Sequence, residues 1–181
     1  MNREEAVQVV RSRVTNDRLI KHMLAVEAVM KALAERLGED VDKWGFAGLV
    51  HDLDYDETVK DPERHGRLGA QYLREMGIGE EITHAVESHA GHVGRESRMD
   101  KALYATDPLT GLIVAAALMH PSKRLGEVTV EFVANRFREK RFAAGADREQ
   151  IRSCAELGLE LEDFLGIGLR AMQSISADLG L

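Results

Sequence analysis

The sequence predicts an all-helical protein, and three observations carry that expectation. Apolar residues recur at spacings of three and four almost everywhere, the period of one face of an α-helix. No stretch sustains the strict alternation of a half-buried strand. Only three prolines interrupt 181 residues, so long helices are allowed.

Taken in order, residues 3–13 form a short first helix. Asn16 or Thr15 can cap a second, about 17–37, with Leu19, Met23, Val26, Met30, Leu33 and Leu37 on one stripe and Gly38 at its end. Asp40 can cap a third, from Val41 to about His51. Residues 52–61 read as a polar, acidic loop. Asp61 and Pro62 suit the start of a fourth helix, which runs to Met76 and stops at Gly77. Residues 80–90 form a fifth, and 91–97 a glycine-containing loop. Residues 99–119 form a long apolar sixth helix, in which Pro108 should produce a kink or a break. Residues 128–137 fit a helix or a strand, with helix preferred. Asp147 can cap a helix to Leu157, and 161–179 is the last. The expected organisation is one domain over 1–181, with a core of about 15–125 and a helical extension over 126–181.

Net charge is −7, which argues against a nucleic-acid duplex or an anionic membrane as partner, since both favour a basic face. It leaves room for a local basic pocket around a small phosphorylated substrate. Cys154 is the lone cysteine, so no intramolecular disulfide can form. Its helical surroundings favour a buried thiol over a reactive one. The first residues lack the apolar core of a signal peptide. The longest apolar run, Leu109–Met119, is 11 residues against the roughly 18 of a membrane span. A cytoplasmic location is the resulting expectation.

The chemistry concentrates in the histidines: six of the seven lie between residues 22 and 92. His51 and Asp52 are adjacent at a predicted helix end, where unwinding can turn both toward one point. Imidazole nitrogen with carboxylate oxygen suits Zn, Fe, Mn or Co without choosing among them. His22 lies one position from the apolar stripe and can point inward, as a ligand or as a satisfied half-buried histidine. His65 falls in the first turn of the fourth helix and His89 at the end of the fifth. Asp107 stands among apolar residues, which is costly unless it is paired, ligates a metal or caps a helix starting at Pro108.

The order His22, His51-Asp52, Asp107 resembles the HD-domain superfamily of metal-dependent phosphohydrolases. The surrounding words agree, in Ile20-Lys21-His22-Met23-Leu24-Ala25-Val26-Glu27 and in Ala47-Gly48-Leu49-Val50-His51-Asp52-Leu53-Asp54-Tyr55. The stretch from Ala102 to Ala117 is similar to a group of small bacterial and archaeal proteins predicted to be HD-superfamily hydrolases. The resemblance implies an all-α HD helical bundle and metal ligation by these four residues. HD proteins with two metals, the HD-GYP phosphodiesterases and the mixed-valent di-iron oxygenases among them, carry two further histidines between the doublet and the last aspartate. His65 and His89 stand there, which implies a binuclear site. His22, His51, Asp52 and Asp107 would hold one divalent ion, His65 and His89 the other, with Asp52 bridging. No Gly-Tyr-Pro signature follows His89, and Tyr55 stands where the HD-GYP pattern has lysine, so cyclic-dinucleotide specificity is not implied.

A metal-activated water attacking phosphorus would be helped by nearby cations. Lys21, Arg64, Arg67, Lys101, Lys123 and Arg124 are candidates, with Lys123 and Arg64 preferred. Asp54, Asp56 and Glu57 offer a general acid or simply a solvated acidic loop. His84 sits about 140° around a helix from His89 and reads as structural, as does His120; His92 could face a substrate. The resulting function is a phosphohydrolase acting on a phosphomonoester or phosphodiester of nucleotide type. An iron-dependent oxygenase on the same six ligands and a non-catalytic ligand-binding domain are the alternatives.

Overall fold

The computed structural model describes residues 1–181, whose regular elements are all helical, with no strand. The order is α1 (Arg3–Arg13), α2 (Asp17–Leu37), α3 (Val41–Val50), α4 (Tyr55–Thr58), α5 (Arg67–Glu75), α6 (Glu80–His89), α7 (Arg98–Met119), α8 (Val130–Arg138), α9 (Arg148–Arg152), α10 (Leu161–Ser174) and α11 (Ser176–Leu179). Single 3-10 turns cover Leu125–Glu127 and Ser153–Leu157.

The boundaries follow from local chemistry. Asn16 caps α2 by accepting from the Arg18 N–H, Gly38 closes it at φ +73°, and Asp40 caps α3 through the Lys43 N–H. Asp147 accepts from the Glu149 and Gln150 N–H groups to start α9.

Two apolar cores share α2. The smaller gathers Val10, Met23, Leu49, Val50, Leu53, Leu73 and Val86. The larger joins Val26, Met30 and Leu33 to Leu103, Leu109 and Ile113 of α7 and to Val133, Ile151, Phe164 and Met172 of the last fifty residues. The segment after residue 126 therefore shares one core with the segment before it.

Helix α7 is long and apolar enough to cross a membrane by length and composition alone. The sequence expectation counted an uninterrupted apolar run, whereas the helix also embeds Asp100, Thr106 and Asp107. Its side chains Met99, Ala102, Leu103, Leu109, Leu112 and Ile113 are all buried within the protein. The expected kink or break at Pro108 does not end the helix, which runs on to Met119. The carbonyl that the proline leaves without a donor is that of Tyr104, four residues back. Gln150 of α9 donates its side-chain amide to that carbonyl at 2.8 Å, so the extension repairs the defect.

The fourth helix departs from expectation at its start. It begins at Arg67 rather than Pro62, because Gly66 adopts φ +76° and breaks the helical path. A Cβ on Gly66 would lie 2.9 Å from the Ala90 Cβ and 3.0 Å from the Val86 carbonyl oxygen. The turn over 62–66 is thus pressed against the end of α6, and His65 lies in that turn instead of on a helix. The last expected helix is also divided, at Ile175, between α10 and α11.

Candidate metal centre

Close packing of α2 on α3 begins the site. A Cβ on Gly48 would meet the Val26 carbonyl oxygen at 2.9 Å, so only glycine permits this approach. It brings His22 of α2 to His51 at the end of α3, with their Nε2 atoms 3.2 Å apart. Gly66 does the same for the second pair, and the Nε2 atoms of His65 and His89 also stand 3.2 Å apart. Asp52 lies between the pairs. Its Oδ1 is 3.5 Å from His51 Nε2 and 3.4 Å from both His65 Nε2 and His89 Nε2, while its Oδ2 is 3.7 Å from His22 Nε2. Asp107 of α7 closes the other side, with Oδ1 3.0 Å from His22 Nε2 and 3.8 Å from His51 Nε2. It stands within a continuous helix, so it caps nothing.

The structure therefore brings His22, His51, Asp52, His65, His89 and Asp107 together. The tightest groupings are His22, His51 and Asp107, and His51, Asp52 and His89, so His51 is within reach of both.

Each imidazole is held from behind through Nδ1. His51 donates to the Gly48 carbonyl at 2.8 Å, and His89 to the Val86 carbonyl. His65 donates to Asp54 Oδ1 at 3.0 Å. The Thr110 hydroxyl donates to the Asp107 carbonyl at 3.0 Å, which leaves its oxygen to accept from His22 Nδ1 at 2.9 Å. With Nδ1 carrying the proton of the neutral ring, each Nε2 can turn a lone pair inward once its own proton is displaced, the tautomer a metal ligand needs.

Burial alone would lower the His51 pKa, but Asp52 and Asp107 overturn it and hold the imidazolium up to about 9. Burial would raise Asp52 and Asp107, but the facing histidines outweigh it and keep both well below the usual carboxylate range. His65 is also raised: burial opposes its charge, and the Asp54 hydrogen bond together with Asp52 prevails. The cluster is thus strongly favourable for positive charge at its centre.

Two supporting residues escaped the sequence reading. Asp54 is fully buried rather than part of a solvated loop, and its second oxygen accepts from the Gly69 N–H at 2.9 Å. Thr110 looked like one more residue of an apolar helix. The order Asp-x-x-Thr over 107–110 was the available signal, since i and i+3 share a helix face.

Asp54, Asp56 and Glu57, the three acidic candidates after the doublet, each have partners within the chain. Asp54 is spent on His65 and Gly69, Asp56 accepts from the Thr15 backbone and hydroxyl, and Glu57 accepts from Tyr72. Lys123 lies beyond the end of α7 and is in neither of the two metal-ligand groupings. Helix α7 carries the chain twelve residues from Asp107 to Met119, about 18 Å at 1.5 Å per residue, before the turn that holds it. Arg64 is exposed beside His65. His84 donates to buried Asp100, His92 approaches the Pro62 carbonyl, and His120 bonds Ser122; all three lie outside the cluster. Cys154 is buried, and burial pushes its thiol up to about 11.

The HD domain family model matches residues 19–151. The chain belongs to the HD domain family. Its match extends past the expected core boundary at 125 and takes in α8 and most of α9. This family lies within a superfamily of metal-dependent phosphohydrolases that bind divalent cations, and the His/Asp cluster is a set of groups able to hold such ions. Among curated relatives, ribonuclease Y of Nitratidesulfovibrio vulgaris strain DP4 is 30% identical over 95 residues, 51% of this chain and 18% of that protein. Ribonuclease Y of Oleidesulfovibrio alaskensis is 30% identical over 138 residues, 72% of this chain and 26% of the relative. The tRNA (cytidine(56)-2'-O)-methyltransferase of Thermoplasma volcanium is 28% identical over 140 residues, 74% and 40% of the two chains. This HD chain spans less than half the length of each of these relatives.

Proposed function

We propose that this HD protein is a phosphohydrolase that holds two divalent cations, of iron, manganese, zinc or cobalt, and cleaves a phosphomonoester or phosphodiester of a small, nucleotide-type substrate. The observation that carries the reading is the doubled arrangement: two pairs of Nε2 atoms, each 3.2 Å apart, with Asp52 between them. Lone pairs so placed repel unless a proton or a cation stands between them. Imidazole nitrogens that each sit about 2.1 Å from one ion lie about 3.0–3.4 Å from one another in octahedral or tetrahedral shells, so the spacing fits.

In this reading His22, His51 and Asp107 hold one cation, His65 and His89 the other, and Asp52 reaches both. Such cations supply a water acidified toward hydroxide and positive charge for the phosphate oxygens. The chain supplies orientation. Thr110, Asp54 and the carbonyls of Gly48 and Val86 lock the four rings, so that little reorganisation is left for the reaction. Exposure sets the approach. The side chains of His51, His89 and Asp52 are 0%, 1% and 7% exposed, against 23%, 20% and 31% for His22, His65 and Asp107. Substrate therefore enters over His22, His65 and Asp107, with Arg64 at the rim for a phosphate charge.

The name ribonuclease Y points to phosphodiester cleavage in RNA by that relative. The net charge of −7 favours a smaller substrate here than a long polyanion. With α7 built into the core, we read the protein as acting in the cytoplasm.

Elemental analysis of protein purified without added metal tests the reading, together with turnover of a phosphoester panel by the protein and by Asp52→Ala. Close to two metals per chain, and hydrolysis that Asp52→Ala abolishes, are expected. One metal per chain would confine ligation to His22, His51, Asp52 and Asp107. No metal, and no response of activity to metal or to Asp52→Ala, would overturn the proposal.

A further inference from the structure

An open pocket beside the metal cluster has His22 and Asp107 on one side and Ala143, Gly145 and Gln150 on the other. The second wall comes from the loop between α8 and α9, residues 139–147, and from Gln150 on α9, far from the cluster in sequence. One guanidinium organises that loop. Arg148 donates from Nη1 to the carbonyls of Ala143 at 2.7 Å and Ala146 at 2.6 Å, from Nε to Phe137 at 3.2 Å, and from Nη2 to Phe142 and Glu139.

Gathering carbonyls to one side has a consequence for the amides. Across a trans peptide the C=O and N–H point in opposite directions, and the chain has no cis bond. The Phe142 and Ala143 carbonyls face Arg148, so the N–H groups of Ala143 and Ala144 face away from it. Neither these two nor the Gly145 N–H finds an acceptor within the chain. Ala143 has φ +43°, a left-handed conformation uncommon for a residue with a Cβ, and the Arg148 contacts hold it there. Successive free amides beside a left-handed residue form an anion-binding concavity. Lys140 and Arg141 in the same loop are exposed, and neither is among the ion-paired residues. They offset Glu139 and Asp147, so the loop is neutral within a chain of net charge −7.

We propose that the 139–147 loop is the phosphate-binding subsite of this enzyme: the backbone N–H groups of Ala143, Ala144 and Gly145 take phosphate oxygens next to His22 and Asp107, and Arg148 is the positioning residue that aims them. The proposal rests on the phosphohydrolase reading for its substrate class, but it concerns chain groups that need no metal to bind an anion. It also moves the expected phosphate contact from Lys123, beyond the end of α7, to backbone groups of a loop that lines the pocket.

The test is a titration of the full-length, ¹⁵N-labelled, metal-free protein with inorganic phosphate, followed by amide resonances. Saturable shifts confined to Ala143, Ala144, Gly145 and their neighbours are expected. Arg148→Met should weaken phosphate binding about tenfold, the equivalent of one lost hydrogen bond to a charged group, with zinc stoichiometry unchanged. Amides of 143–145 that stay still, while phosphate is absent from the loop or perturbs only other regions, would overturn the subsite. So would Arg148→Met protein that retains zinc and binds phosphate as tightly as the parent. The two readings fail separately. Loop shifts without phosphoester turnover by the metal-loaded protein would remove the phosphohydrolase reading and leave an anion site. Turnover with unmoved loop amides and an unchanged KM in Arg148→Met would remove the subsite and leave the enzyme.

Discussion

Two charged clusters flank helix α2, and they are satisfied in opposite ways. At one, Glu27 is almost fully buried, yet both its oxygens are taken by Arg3, and Lys31 Nζ adds a contact at 2.6 Å. One carboxylate meets two cations whose stems reach solvent, with Arg3 56% and Lys31 33% exposed. Nothing further is required. At the other, five residues earlier on the same helix, His22 joins three more histidines and two carboxylates with no lysine or arginine among them. Every Nδ1 is bonded behind its ring, and every Nε2 faces the other Nε2 atoms and the two carboxylates. A cluster that closes its own charges is a fastener; one that converges acceptors on a common point is a receptor for cations.

The largest predicted effect breaks the receptor. Asp52→Ala removes the one group that touches both histidine pairs, so metal should fall toward one per chain. Phosphoester turnover should drop by about 10³-fold or more, several kcal/mol of transition-state stabilisation. Metal analysis and steady-state kinetics on the same preparation measure both. An active two-metal Asp52→Ala protein would show that the pairs do not work through this carboxylate.

Next comes the pH response of metal-free protein, where a proton must stand in for a cation. The His51 pKa is raised from its ordinary 6.5 to about 9. Its contribution to stability is therefore complete below about pH 6.5 and is lost as pH rises through 9, to the extent of roughly 3 kcal/mol. Calorimetry on chelator-treated protein should show the melting temperature falling by roughly 10 °C across that interval. Metal-loaded protein should not show the fall, because binding displaces the proton and tightens with pH. Equal slopes for the two forms would mean that the centre is not the metal site.

The two clusters were unequally legible in the sequence. His22, His51-Asp52 and Asp107 could be found because ligand types are few and their order is informative. The helices that carry them could be found because caps such as Asn16, Asp40 and Asp147 act locally. What failed depended on distant chain. Residues 62–66 read as helix until α6 packs against Gly66 and forces a left-handed turn. Pro108 reads as a break until Gln150 supplies the missing donor to Tyr104. Asp54 reads as solvated until Gly69 closes over it. Of the Arg3–Glu27–Lys31 group only the Glu27–Lys31 pair has a local signal, its i,i+4 spacing on α2, whereas Arg3 reveals its pairing only when α1 docks.

Asp54→Asn probes the shell behind the receptor. The amide can still face Gly69 and His65, but it loses the charge that holds the His65 tautomer and favours a cation in front of it. Losses of this kind run about 10–100-fold in metal affinity. Competition against a chromophoric chelator should place the loss in one of the two metals, leaving the ion near His22 and Asp107 unchanged. Uniform loss of both would mean that the pairs are not separate halves.

Glu27→Ala should have the smallest effect and should leave the receptor intact. Removing one partner from a fully buried ion pair is severe because it strands a charge. Here the stranded groups are Arg3 and Lys31, and both can turn to water. The loss then reduces to charge-assisted hydrogen bonds and the volume vacated between α1 and α2, about 1–3 kcal/mol in urea unfolding. Gly45 adds a constraint, since a Cβ there would collide with Lys31, so the Lys31 stem is held where Glu27 needs it. Lys31→Ala on its own should therefore cost less than Glu27→Ala, and the pair together no more than Glu27→Ala plus a few tenths of a kcal/mol. Metal content should stay at the parental value in all three proteins. If Glu27→Ala instead empties the metal centre, the two faces of α2 are coupled and the fastener is part of the receptor.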